Sequence, residues 1–143
     1  MASEIPAINQ VIIAAQKEAQ RLGFPFIQRE QLFLGLLQHP TVTRILTGLG
    51  LDLQSTREAV ETRLLPGLGA PDDLSAIGML PTAEQVCRQR ALTAAALLGH
   101  THTGPEHILL GFMLEQHGLV LEVLASLGVT KEKIVEAINR LDR

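Results

Sequence analysis

Tryptophan and tyrosine are absent from this 143-residue chain, and only four phenylalanines occur. A core must therefore be built from Leu, Ile, Val and Ala. The stacked aromatic platforms on which many single-strand nucleic-acid binders rest their bases are also excluded. A single cysteine, Cys87, allows no internal disulfide, which fits a reducing compartment. Neither sign of charge dominates: the formal net charge is −3. Residues 1–70 carry six basic and six acidic side chains, and residues 71–143 carry six and nine. No basic stripe marks either half, which argues against DNA or RNA as partner. No apolar run approaches the ~20 residues needed to span a bilayer. The start, Met1-Ala2-Ser3-Glu4, offers no basic n-region and no long apolar h-region, so no secretory signal is expected. These absences leave a single globular domain, expected in the cytoplasm, with no membrane partner.

What is present is a duplication. Leu22-Gly23-Phe24 and Glu30-Gln31-Leu32-Phe33-Leu34-Gly35 recur as Leu98-Gly99-His100 and Glu106-His107-Ile108-Leu109-Leu110-Gly111, at a constant offset of 76. Leu49-Gly50 recurs as Leu127-Gly128 at offset 78. Two copies are too few for a solenoid. They imply one pseudo-twofold domain in which each half covers the other's apolar face.

The periodicity is helical throughout. Ile8, Val11, Ile12, Ala15, Ala19 and Leu22 recur at i, i+3, i+4 and i+7, and Gly23 stops that face. A second helix is expected from about 29 to 38, a short third opened by Thr41, and a fourth capped by Asp52. Residues 65–81 hold three Pro and three Gly and read as a linker, with Leu68, Leu74, Ile77 and Met79 pinning part of it to the body. The second copy repeats the four helices. Thr82 and Gln85 form a capping box for the fifth. Thr103 or Gly104 opens the sixth, with Pro105 in its first turn. The seventh covers Leu119 to Ser126, and Thr130 caps the eighth. No strand is evident. The expected fold is all-α, an eight-helix pseudo-twofold bundle of two four-helix repeats: 8–64, the linker 65–81, and 82–141 within one domain, 1–143.

Candidate chemistry is sparse. His100, His102, Glu106 and His107 crowd into eight residues, and His and Glu are ordinary zinc ligands. The spacing fits a metal poorly, because adjacent helical residues such as 106 and 107 point ~100° apart. A polar turn explains the cluster equally. Glu106, placed three residues after Thr103, completes a Thr-x-x-Glu capping box. Glu30, its repeat, follows Ile27, which cannot cap. A carboxylate repeated in both copies but capped in one points to a shared binding use. Cys87 matches Val11 and reads as core. No nucleophile elbow, P-loop or HExxH occurs, so no enzymatic activity and no cofactor are expected.

With these residues assembled, Leu98-Gly-His-x-x-x-Gly-x-Glu-His-Ile-Leu-Leu-Gly111, the Ala-rich helix before it and Leu127-Gly-Val before the last helix resemble one repeat of the Clp N-terminal domain. Residues 8–64 resemble the other. The resemblance implies an all-helical pseudo-dimer of the kind found at the N-terminus of AAA+ unfoldases, where it docks adaptors and receives substrates. In the ClpC type the repeated glutamates hold phosphoarginine with a Thr and an Arg at the start of each repeat's first helix. Glu30 and Glu106 match those carboxylates. The Thr and Arg positions are Ile5 and Ala7 in the first copy and Pro81 and Ala83 in the second, so the ligand's other partners are missing. Phe24 and Gln31 replace the histidines expected in the first copy. The family domain is normally followed by ATPase modules, and small stand-alone members also exist, including plastid ones; a plastid stroma is the alternative location, after loss of a transit peptide.

The functional expectation is a monomeric, non-catalytic interaction module that docks adaptor proteins, substrate polypeptides or Clp ATPase and protease components, with Glu30 and Glu106 as binding residues. The alternative is a small-ligand or metal-binding helical protein using the cluster from His100 to His107, with His100, His102 and Glu106 as metal candidates.

Overall fold

The computed structural model describes residues 6–141. The first repeat supplies α1 (Ala7–Leu22), α2 (Arg29–Leu36), α3 (Pro40–Gly48) and α4 (Leu53–Glu61). The second supplies α5 (81–97), α6 (Pro105–Met113), α7 (Leu119–Ser126) and α8 (Lys131–Asn139). The helix α5 is one rod whose middle, Gln85–Arg90, is wound as a π segment.

The glycine stops work as expected, and they repeat. After α1, the N–H of Phe24 bonds to Ala19 C=O (2.8 Å) and that of Gly23 to Gln20 C=O (3.2 Å). After α5, His100 bonds to Ala95 (2.9 Å) and Gly99 to Ala96 (3.0 Å). This is the Schellman closure, and it requires a left-handed residue at φ 81° and 74°. The pair at Gly50 and Gly128 closes α3 and α7 in the same way.

Three helix starts share one feature: those of α3 and α5 depart from expectation, and α6 opens at Gly104, one of its two expected starts. Pro40, Pro81 and Pro105 each occupy the first helical position. Proline fits there because its fixed φ suits the helix and its missing N–H would have no partner. The caps therefore fall one residue earlier, on His39, Leu80 and Gly104. Thr41 does not cap α3; it donates its N–H to His39 Nδ1 at 3.3 Å. Thr82 and Gln85 make no capping box, and Gln85 instead faces Gln89 within the helix. Asp52 and Thr130 do cap, each accepting from the N–H three residues on, at 2.9 and 3.2 Å.

The linker is strapped to the body. Gln16 and Gln20 on α1 donate to the carbonyls of Ile77, Pro71 and Asp72. Ile77 is buried, but Leu68 is fully exposed and pins nothing. A two-residue parallel pairing, β1 (Phe26–Ile27) with β2 (Gly78–Met79), was not evident from the sequence. It is too short to show a period.

The halves interlock rather than abut. Helix α2 packs on α1 and on α7 of the other copy, and α6 packs on α5 and on α3. The helices α2 and α6 cross at the pseudo-dyad, where Phe33 and Phe112 meet edge to face with centroids 5.6 Å apart. Leu34 and Leu110 are equivalently buried, at 0% and 1% exposure. Leu→Ala at either should cost about 2–5 kcal/mol, read by urea titration. A near-neutral result at one would break the equivalence.

Candidate functional site

The residue at the third position of α2 and α6 closes each helix start. Gln31 Oε1 accepts the N–H of Gln28 at 2.8 Å, and His107 Nδ1 accepts the N–H of Gly104 at 2.9 Å. Both side chains are fully buried. Glu106 therefore sits at the second helical position, and the Thr103–Glu106 capping box does not form. Pro105 at the first position fixed this start. The contrast between a capped Glu106 and an uncapped Glu30 disappears: both helices are closed from the same position by a different side chain. Because Gln31 and His107 do one job, His107→Gln should cost under about 1 kcal/mol. His107→Ala should cost about 2–3 kcal/mol by leaving a buried N–H unpaired beside a cavity. Equal losses by chemical denaturation would refute the assignment.

The histidine cluster follows from this cap. His107 Nδ1 accepts a hydrogen bond, so in the neutral ring the proton is on Nε2, which donates to His100 Nδ1, 2.8 Å away. His102 stacks on His100 with ring centroids 6.1 Å apart. The imidazoles thus face one another and a backbone amide rather than a common centre. Among the described residues no group of three or more His, Cys, Asp or Glu is arranged to hold a metal ion.

The two repeated glutamates lie at the junction of the copies. Glu30 lines a shallow cleft with Arg29, Phe112, Glu115, His117 and Gly118. Four of these come from the second copy. Glu115 is tied to both halves: Arg29 of α2 pairs with one oxygen, and Arg90 of α5 donates from Nε to the other at 3.1 Å. Glu106 is buried beside Gly104, where a Cβ would come 2.7 Å from its Oε1. Glycine at 104 makes room for that carboxylate. Glu106 also acts electrostatically on His39 of the first copy. Burial pushes the His39 imidazole below its ordinary value, and the Glu106 charge partly offsets this. His39 and Glu115 are equivalent positions: Glu30 shares a cleft with Glu115, and the Glu106 charge acts on His39. The two carboxylates do not share one pocket.

Of the phosphate-partner positions, Ala7 opens α1, Pro81 opens α5 and Ala83 is buried. Ile5 lies outside the described residues. Cys87 is buried in the π segment, and burial raises its thiol above the usual range, as expected for core.

A polar centre that the sequence did not announce lies on α1. Glu18, only 7% exposed, is bound by Arg57 at 2.9 and 3.1 Å and by Arg21 at 2.8 Å. Gln38 Nε2 donates to it at 2.5 Å. Glu61 joins both arginines. Only the i, i+3 spacing of 18 and 21 and the i, i+4 spacing of 57 and 61 were visible in advance.

Comparison with known proteins agrees with this geometry. The family model for the Clp repeat (R) N-terminal domain matches residues 6–127 and 81–141. Chaperone protein ClpC1, chloroplastic, of Oryza sativa subsp. japonica is 36% identical over 134 residues, covering 92% of this chain and 14% of that protein. The ClpA homolog ATP-binding subunit of Guillardia theta is 35% identical over the same length, covering 92% and 16%. The chain thus spans about one seventh of the length of the curated relatives it matches. Among solved structures, the ClpD N-terminal domain of Arabidopsis thaliana superposes with a TM-score of 0.69 at 23% identity, covering 96% of both chains. The Hsp104 N-terminal domain of Candida albicans gives 0.70 at 14% identity, covering 93% and 87%. These structures establish the fold, and no helix among the described residues is long and apolar enough to cross a membrane. The matching family model, the relatives above 30% identity and the interlocked helical repeats together place this chain in the Clp repeat N-terminal domain family.

Proposed function

We propose that this chain is a non-catalytic interaction module of the Clp chaperone and protease system. It acts as a monomer and docks adaptor proteins, substrate polypeptides or other Clp components through helix faces and a groove. The observation that supports this reading is the symmetric placement of Glu30 and Glu106, one sharing a cleft with Glu115 and the other acting on His39, within a family whose relatives include Clp chaperones and ATP-binding subunits. The docking place is the junction of the copies, near α1 and α5, with Glu30 and Glu106 as its anionic contacts. Such carboxylates select cationic partner groups and reject acidic ones. The compartment is the cytoplasm, or the plastid stroma by analogy with the chloroplastic relatives.

The test uses the immobilised chain with purified Clp ATPase, adaptor and unfolded casein in turn. Glu30→Ala and Glu106→Ala should weaken capture of the true partner about tenfold, equivalent to about 1.4 kcal/mol. The melting temperature at Glu30→Ala should be unchanged. Full binding by both variants, with stability lost instead, would make these carboxylates structural and move the docking surface elsewhere.

A further inference from the structure

We infer that the hollow between α3 and α8 is a second docking surface, and that its occupant is an acidic peptide segment carrying a bulky apolar side chain. The hollow has a volume of about 150 Å³ and is lined by Arg44, Ile45, Gly48, Leu49, Ala137, Arg140 and Leu141. Its floor is apolar: Ile45 is buried, and Leu49, Ala137 and Leu141 are half-buried. A Cβ placed on Gly48 would meet no atom within 4 Å, so the backbone itself lies open to an occupant. Arg44 and Arg140 stand exposed at the rim.

The duplication supplies an internal control. Its pseudo-symmetric mate is the contact between α7 and α4, related by the offset of 78 that matches Leu49 to Leu127. There Arg44 becomes Glu122, and Leu141 becomes Arg63. Arg63 and Glu122 pair across that contact at 2.6 Å, tying the two helices together. Among the described residues no such tie joins α3 and α8. The rim carries two arginines, which repel, and Arg44 has no ion pair among the described residues. Arg140 has only Glu136, one turn earlier on its own helix at 3.7 Å, with both side chains largely exposed. A pair of that kind contributes little. The site therefore joins an apolar floor to two cationic groups whose charge no described residue answers across the groove. An apolar side chain fits the floor, and flanking carboxylates answer the arginines as charge-assisted hydrogen bonds. This charge preference is opposite to that of the Glu30 and Glu106 junction, so the two surfaces select different partner segments and neither depends on the other.

The experiment titrates the isotope-labelled chain with acetyl-Glu-Leu-Glu-Phe-Glu-amide and, in parallel, with the matching lysine peptide, following backbone amide shifts by NMR. The acidic probe should move Ile45, Gly48, Leu49 and Ala137, and should bind more weakly as salt is raised. The lysine peptide should leave them still. Arg44→Glu replaces one rim cation with the carboxylate that the mate carries, leaving Arg140 to face it, and should weaken the acidic probe at least tenfold, with the melting temperature held or raised. Gly48→Leu fills the hollow and should do the same by sterics. Glu30→Ala with Glu106→Ala should leave this binding intact, whatever their effect on capture of Clp partners. Shifts confined to the Glu30 cleft, equal response to both peptides, or unchanged binding by Arg44→Glu and Gly48→Leu would overturn the inference.

Discussion

Gly35→Ala should destabilise the domain by about 3 kcal/mol or more, while the same change at Gly111, its repeat, should cost about 1 kcal/mol. A Cβ at 35 would lie 2.6 Å from the backbone N of Ala15 and 2.9 Å from its Cα. Backbone cannot step aside, so α2 must lift off α1 along a contact that also seats Val11 and Ala19. At 111 the same Cβ would meet Arg90 Cβ at 3.0 Å and Ala91 N at 3.3 Å, a gap that a few tenths of an ångström relieve. Urea titrations of the two variants measure both values. Equal losses would mean that the two crossings are equally tight.

Arg57→Ala should cost about 2–3 kcal/mol near neutral pH, because it strips a buried carboxylate of its two-bond partner. The loss should shrink in acid. Burial opposes the Glu18 charge, yet the hydrogen bonds and charges of Arg57 and Arg21 outweigh it and hold the carboxyl below its ordinary value of 4.5. A carboxylate with a depressed folded value stabilises the native state above its unfolded value, and loses that contribution as pH falls through the folded one. Wild type should therefore lose stability from about pH 4.5 downward, and the variant should lose less over that interval. Parallel pH profiles for the two proteins would remove Glu18 from the account. The same sign holds for His39, whose neutral form accepts the Thr41 N–H: its contribution is complete above its ordinary value and declines below it.

These two sites differ in how far the sequence disclosed them. Gly35 and Gly111 stood in repeated blocks, and the offset paired them before any helix was placed. The Schellman glycines, the Asp52 and Thr130 caps and the burial of Leu34, Leu110 and Cys87 were legible for the same reason: each is local, or local and repeated. The helix starts at Pro40 and Pro81 differ from expectation because hydroxyl side chains stood beside them, and a preset φ outweighed an available cap; at Pro105 the glycine of the two expected openers serves. Closure by Gln31 and His107 was hidden because two unlike side chains perform it. Glu18 could not have been linked to Arg57, nor Glu115 to Arg29 and Arg90, since those partners lie 39, 86 and 25 residues apart. For the candidate site, sequence supplied Glu30 and Glu106 but not which copy each one addresses. That depends on whether the repeats lie side by side or exchange partners, and a constant offset is the same in either case.

The exchange of partners has a consequence for how the chain comes into being. A ribosome delivers α2 long before α7, and α3 long before α6. During that interval Phe33, completely buried at the end, has no Phe112 to meet, and α2 and α3 lack the second-copy helices on which they pack. The interior of the first repeat is completed only when the second has been made. The nascent first half is then an exposed apolar client, of the kind that chaperones shield.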